Sequence, residues 1–125
     1  MWMLWKRCST AWVLIKMGKF SRDKGKRGEL ELAHKLQELG FPDTHRSQQY
    51  CGSANSADIL GLPGIHAEVK RTETLSLYAA YAQAMQDAEN TVDMPTVFHR
   101  RNGKPWLVAM CLEDWIKLYK KYMNQ

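Results

Sequence analysis

Ile65-His66-Ala67-Glu68-Val69-Lys70-Arg71 is the stretch on which the reading of this chain turns. Ile65, Ala67 and Val69 alternate with His66, Glu68 and Lys70, and a period of two predicts a β-strand with the last three residues on one face. Leu62-Pro63-Gly64 turns the chain just before it, and the short apolar run Ala57 to Leu62 precedes the turn, so the two segments read as a hairpin. Residues two apart on a strand share a face at a spacing of about 7 Å, so Glu68 and Lys70 project together. Asp58 joins them if its strand pairs alongside.

Downstream, Leu75 to Glu89 is predicted to be a helix rich in Ala, Tyr and Met, with Tyr78, Tyr81 and Met85 as its core stripe. A strand is predicted from Pro95 through Phe98. Arg101-Asn102-Gly103-Lys104 is a hairpin turn signal, with a return strand from Trp106 to Met110. Leu112, Trp115, Ile116, Tyr119 and Met123 mark a last amphipathic helix, read as covering the core, with a dimer surface as the alternative.

Upstream, Leu32, Ala33, Leu36 and Leu39 recur at helical spacing between Lys26 and Leu39, and Gly40 and Pro42 stop the helix. On a wheel of about 100° per residue Glu29 falls near the centre of this apolar stripe, while Glu31, His34, Lys35 and Glu38 fall opposite, on the solvated side. An inward carboxylate needs a partner, a cation or a metal, because an isolated buried charge is expensive. The order of helix, two strands, helix, two strands, helix is that of a layered α/β or α+β domain.

With 125 residues, 45% of them hydrophobic and 25% charged, the chain has enough for one core and hardly enough for two. No apolar run reaches the ~18 residues of a membrane span. Cys8, Cys51 and Cys111 are far apart and lack metal-ligand spacing, which argues against a disulfide framework or a zinc site and for a reducing, cytoplasmic setting. Of the formal charge of +5, +4 lies in the first 20 residues and only +1 in the remainder, so global basicity is weak support for a DNA partner. Local clusters remain: Arg22, Lys24, Lys26 and Arg27; Arg100, Arg101 and Lys104; Lys117, Lys120 and Lys121. Each, taken singly, reads equally as solvated surface.

Residues 1–17 form a head unlike the rest, with three Trp, and residues 18–125 are taken as the single domain. The head makes a poor signal peptide; an alternative start at Met17 and an amphipathic arm are the other readings. Residues 45–56, HRSQQYCGSANS, read as a polar loop leading into the hairpin.

Asp58 and Glu68, with a neighbouring backbone carbonyl, that of Val69, are an all-oxygen donor set suited to Mg²⁺ or Mn²⁺. An acidified bound water with the Lys70 ammonium beside it is equipment for attack on a phosphodiester. Glu-x-Lys alone is unspecific and reads as readily as a surface ion pair. Three features tilt the balance: the inward Glu29, the loop carrying Arg46 and the basic clusters. His66 shares the Glu68 face and reads as a surface or hydrogen-bonded histidine. No GxxxxGKS, GxSxG or HExxH motif supports ATP-driven, serine-hydrolase or zinc-protease chemistry.

Lys24-Gly25-Lys26-Arg27-Gly28-Glu29-Leu30-Glu31-Leu32, Gly40-Phe41, Arg46-Ser47, Ala57-Asp58-Ile59-Leu60 and Glu68-Val69-Lys70 together resemble successive motifs of the archaeal-type Holliday junction resolvases, within the PD-(D/E)xK nuclease superfamily. The resemblance spans about residues 24–110, and small phage-encoded resolvases are similar in length. It implies a restriction-endonuclease-like α/β fold, a central mixed β-sheet flanked by helices, and a homodimer that nicks two strands of a four-way DNA junction with Mg²⁺ or Mn²⁺. Catalytic positions fall on Glu29, Asp58, Glu68 and Lys70, metal ligands on Glu29, Asp58, Glu68 and Val69, and DNA contacts on Lys24, Lys26, Arg27, Arg46, Ser47 and Arg71. Ala57 stands where the superfamily name has Pro, and Leu30 where many members carry Arg. The head has no counterpart, and Cys51 to Asn55 lengthens the loop. The other readings are a nuclease of the same fold for a restriction, repair or nicking substrate, and a non-catalytic DNA-binding protein whose acids form a structural ion-pair network. Glu29 separates them, since a structural protein has little reason to aim a carboxylate at two others.

Overall fold

The computed structural model describes residues 9–47 and 57–125, with side chains from Asp23 onward. The start of the head, Arg22 and the Cys51 to Asn55 insertion therefore lie outside the described residues or side chains. Three helices flank a five-stranded mixed sheet in the described chain: α1 (Ser9–Glu38), β1 (His45–Arg46), β2 (Ile59–Leu60), β3 (Ile65–Arg71), α2 (Leu77–Asp87), β4 (Met94–Arg100), β5 (Leu107–Ala109) and α3 (Leu112–Met123). The strands lie in sequence order across the sheet. β3 and β4 are parallel and in register from Ile65 opposite Met94 to Arg71 opposite Arg100. Every other pairing is antiparallel.

The parallel pair requires a crossover, and α2 supplies it. Its buried side is the small-residue stripe Ala80, Ala84 and Ala88, whereas Tyr78 and Met85 are exposed and Tyr81 is half-buried. The expected aromatic core stripe is thus displaced by alanines, which let a helix backbone lie close to the sheet. The core sits on the other face, where Leu32 and Ala33 of α1 meet Ile59, Ala67 and Phe98, with Leu36, Val69 and Trp106 packed around them.

α1 starts at Ser9, well before the expected Lys26, and runs across the boundary drawn at residue 17. The run from Lys19 to Arg27 lacks apolar periodicity, yet it contains no proline, and a Gly inside a helix costs only about 1 kcal/mol. The helix ends as expected. Gly40 takes φ 110°, the Phe41 N–H donates to the Leu36 carbonyl at 3.0 Å, and the Gly40 N–H donates to the Gln37 carbonyl at 3.3 Å. These two bonds are the pair that closes a helix through a left-handed glycine. Buried Thr44 pins the return, its hydroxyl donating to the Phe41 carbonyl at 2.8 Å and the Ala33 carbonyl at 3.2 Å. The segment expected as loop then delivers His45 and Arg46 to the sheet edge as β1.

Close packing of α1 on β3 depends on Gly28, because a Cβ there would collide with the Arg71 side chain. Among the described residues, α3 buries no side chain. Of the expected stripe Leu112, Trp115, Tyr119 and Met123 are exposed and Ile116 alone is half-buried, so the expected core-covering role is overturned for all but Ile116. β5 is short and leads almost directly into α3, whose start, at Cys111 to Asp114, lies beside Tyr81 of α2. No helix among the described residues is long and apolar enough to cross a membrane.

Candidate active site

The site forms where β2 ends against the middle of β3. The Asp58 N–H donates to the Ala67 carbonyl at 2.8 Å, and the Ser47 N–H donates to the Asp58 carbonyl at 2.9 Å, so the Asp58 backbone is clamped from both neighbours. The N–H and C=O of one strand residue point to the same edge and recur every second residue, so Val69 follows Ala67 toward β2. β2 offers no further backbone there. The Asp58 carboxylate takes its place, its Oδ2 accepting the Val69 N–H at 2.8 Å. The Val69 carbonyl lies on this same edge.

Glu68 and Lys70 project from the opposite face to Val69, beneath α2, as the strand period requires. Glu68 is 5% exposed, and its carboxylate lies 3.9 Å from the Lys70 Nζ. Lys70 Nζ also donates to the Gln83 Oε1 at 3.4 Å. α2 runs antiparallel to β3, so the residue one turn beyond Gln83, Asp87, comes near Glu68 and adds a second negative charge, after that of Asp58, to its surroundings. Burial, the charge of Asp58 and a hydrogen bond between the two acids push the Glu68 carboxyl up to about 8, against the opposing pull of Lys70. Burial beside the Asp58 charge thus favours the protonated form of Glu68.

Glu29 approaches from the α1 side. Burial and Asp58 raise its pKa, and Arg46, donating from Nε to the Glu29 Oε1 at 3.0 Å, pulls it down. The helix wheel placed Glu29 inward, and its side chain is only 17% exposed. Asp58 is the common neighbour of Glu29 on one side and Glu68 on the other. The structure therefore brings Glu29, Asp58, Glu68, Val69 and Lys70 to one edge, but it gives Glu29 a guanidinium partner.

The residues expected on DNA divide into three groups. Lys26 and Arg27 are exposed and Lys24 is half-buried. Lys24 and Arg27 line, with Gly28, Glu31, Arg71 and Asn102, a cavity of about 360 Å³. Arg46 is committed to Glu29, and Ser47 is buried with its N–H spent on Asp58. Arg71 is also committed: it lies 3.6 Å from Glu31 and 3.7 Å from Glu73, and donates to the Asn102 Oδ1 at 2.7 Å. Arg100 pairs with Glu31 as well. Glu31, placed by its period on the solvated side, instead ties α1 to β3 and β4. His66 departs too, being buried with an Nε2 that has no partner among the described residues.

Gln83 and Asp87 are the site neighbours that sequence reasoning passed over. Their signal was present: they lie one turn apart, flanking the alanine stripe that seats α2 on the sheet. Among the described residues no three His, Cys, Asp or Glu side chains converge closely enough to hold a metal ion unaided. The donors on offer are two carboxylates and one carbonyl, all oxygen, and a cation between the two carboxylates would offset their mutual repulsion. That set fits a hard divalent ion that retains several waters. No protein-family profile, curated protein or solved structure matches the chain.

Proposed function

We propose that the chain is a divalent-metal-dependent endodeoxyribonuclease of the PD-(D/E)xK type, acting as a junction resolvase on four-way DNA. The observation that carries the nuclease reading is the strand-edge cluster itself. Asp58 and Glu68 lie side by side, Glu68 is two strand positions from Lys70 on the same face, and the Asp58 carboxylate stands where a backbone partner would. Such an arrangement is costly in a purely structural role, because clustered acids repel one another when both are ionised. The resolvase specificity rests on the motif resemblance from Lys24 to Lys70.

Asp58, Glu68 and the Val69 carbonyl would hold Mg²⁺ or Mn²⁺, which when bound supplies charge neutralisation and a more acidic water. The chain's own residues do the rest. Lys70, steadied by Gln83, presents an ammonium to the non-bridging oxygens of the phosphodiester as negative charge builds on them. The Val69 N–H fixes one Asp58 oxygen and so orients the other. Arg46 holds Glu29 in reach of Asp58 without a third unpaired negative charge. Lys24, Lys26 and Arg27, within two turns before Glu29 on α1, place cations for the phosphate backbone and set affinity more than chemistry.

The Glu29–Arg46 pair favours one rival, in which the acids are an ion-pair network of a non-catalytic DNA-binding protein. A cleavage assay on an immobile four-way junction separates the readings. Paired nicks with Mg²⁺ or Mn²⁺, lost in Lys70→Ala, support the resolvase. Equal cutting of junction, flap and linear duplex leaves a nuclease for another substrate. Binding without cutting under either metal favours the rival.

A further inference from the structure

Among the described residues three arginines are part-buried, Arg46, Arg71 and Arg100, and they use their guanidinium groups differently. Arg71 engages all its side-chain nitrogens: Nε lies 3.6 Å from Glu31, Nη1 lies 3.7 Å from Glu73, and Nη2 donates to the Asn102 Oδ1 at 2.7 Å. Arg100 donates from Nε to the Lys104 carbonyl at 2.6 Å and pairs through Nη1 with Glu31. Arg46 engages Nε alone, on the Glu29 Oε1 at 3.0 Å, and among the described residues neither of its Nη groups has a partner. A guanidinium held through Nε keeps its Nη groups as a planar fork, the geometry that meets two oxygens of a phosphate at once.

Register fixes the side of the sheet on which that fork stands. Arg46 pairs with Ile59, and Ile59 with Ala67, so these side chains share the face on which α1 packs. Glu68 and Lys70 lie an odd number of positions from Ala67 and take the other face. The Ser47 N–H, one residue after Arg46, donates to the Asp58 carbonyl at 2.9 Å and fixes β1 against the acidic edge. Arg46 and Lys70 therefore flank that edge from opposite faces, and a phosphodiester drawn to it has a cation on each side. Glu29 holds the arginine there from α1.

We propose that Glu29 is not a metal ligand but the positioning residue of Arg46, holding its guanidinium so that the Nη fork meets phosphate oxygens on the face of the acidic edge opposite Lys70. The inference rests on the nuclease reading of the site and changes one role within it. The motif resemblance puts Glu29 on the metal; its hydrogen bond puts it on the arginine. The pair is neutral as a whole, so it directs donors at an anion without repelling a cation held beside it. Glutamine at position 29 separates the two roles, because it keeps an Oε1 acceptor for the Arg46 Nε and lacks the charge of a metal ligand.

Three measurements on the full chain test the proposal, and the first two need no cleavage. In EDTA, the slope of log affinity for linear duplex against log salt should drop by about 0.9 in Arg46→Gln, one phosphate contact being lost. Mn²⁺ affinity, read by electron paramagnetic resonance, should change by less than about tenfold in Glu29→Gln, the effect of one neighbouring charge. Asp58→Asn, which removes a ligand, should cost more. Single-turnover cutting of a four-way junction with Mg²⁺ should slow by roughly 10²-fold in Glu29→Ala and in Arg46→Gln, but by less than about tenfold in Glu29→Gln. The double variant Glu29→Ala with Arg46→Gln should be no slower than the slower single one, because the two residues act as a unit. A Glu29→Gln protein that binds Mn²⁺ as poorly as Asp58→Asn, additive losses in the double variant, or a wild-type salt slope in Arg46→Gln would each overturn the proposal and leave the nuclease reading standing. A wild type that cuts under no divalent metal would remove that reading, and the role of Glu29 with it.

Discussion

The Asp58 carboxylate caps the edge of β3 by accepting the Val69 N–H at 2.8 Å, while the Asp58 backbone N–H donates at 2.8 Å to the Ala67 carbonyl two residues earlier. That position puts a negative charge beside Glu68 that the fold must accommodate. Asp58→Asn keeps an amide oxygen for the Val69 N–H and removes the charge. It should therefore stabilise the metal-free protein at pH 8, abolish cleavage and abolish any gain in melting temperature from Mn²⁺. Melting curves with and without Mn²⁺ check all three together.

Stability should fall as pH rises between about 4.5 and 8. The Glu68 carboxyl sits near 8 in the folded protein against an ordinary 4.5, so within that window the folded state keeps a proton that the unfolded chain has released. The contribution is fully present below the unfolded value and lost as pH passes the folded one. Each unit of difference corresponds to about 1.4 kcal/mol. Urea unfolding across this range should show the decline, and Glu68→Gln should flatten it.

Divalent metal should act against that proton. Mg²⁺ or Mn²⁺ should raise the melting temperature more at pH 8 than at pH 6, because ligation requires the ionised carboxylate. EDTA should reverse the gain. Glu29→Gln, which removes a charge beside Asp58, should reduce it. A melting curve indifferent to either metal at every pH would favour the structural ion-pair reading.

Gln83→Ala should slow cleavage by roughly tenfold while leaving junction affinity unchanged, because it frees the Lys70 ammonium without removing it. Lys70→Ala should cost roughly 10²-fold or more in rate. Single-turnover rates beside binding curves make the distinction, and an equal loss of affinity in Gln83→Ala would place that residue in DNA binding.

Gly28→Ala should destabilise the fold by about 1–3 kcal/mol, since the added methyl meets the Arg71 Cβ and α1 must lift from β3. The neighbouring change Gly25→Ala should not destabilise, because a Cβ there meets nothing. Urea midpoints of the two variants provide the comparison.

The hairpin and the shared face of Glu68 and Lys70 were legible because they follow from a period of two over seven residues. The stop at Gly40 was legible from the one residue type that takes φ 110° without strain. Glu29 was legible as an inward charge on a helix whose apolar positions are unambiguous. What escaped the sequence depends on partners far along the chain. Arg100 and Glu31 are 69 residues apart, and only the docking of α1 on the sheet brings them together. Gln83 and Asp87 acquire meaning once the alanine stripe, and not the tyrosines, seats α2. α3 shows the limit of amphipathic pattern: the stripe at Trp115 and Tyr119 marks an apolar face on the helix, but it does not say that the chain's own sheet buries it, and the structure leaves it exposed.

The most direct test of the site is a paired measurement of cutting and binding on an immobile four-way junction, with wild type and Lys70→Ala in the same low-salt buffer with Mg²⁺. The account expects paired, symmetric nicks from the wild type, and none from Lys70→Ala with affinity kept within about tenfold, since affinity comes from phosphate contacts made elsewhere. Cleavage by Lys70→Ala at the wild-type rate, or no cleavage by the wild type with any divalent metal, would contradict it.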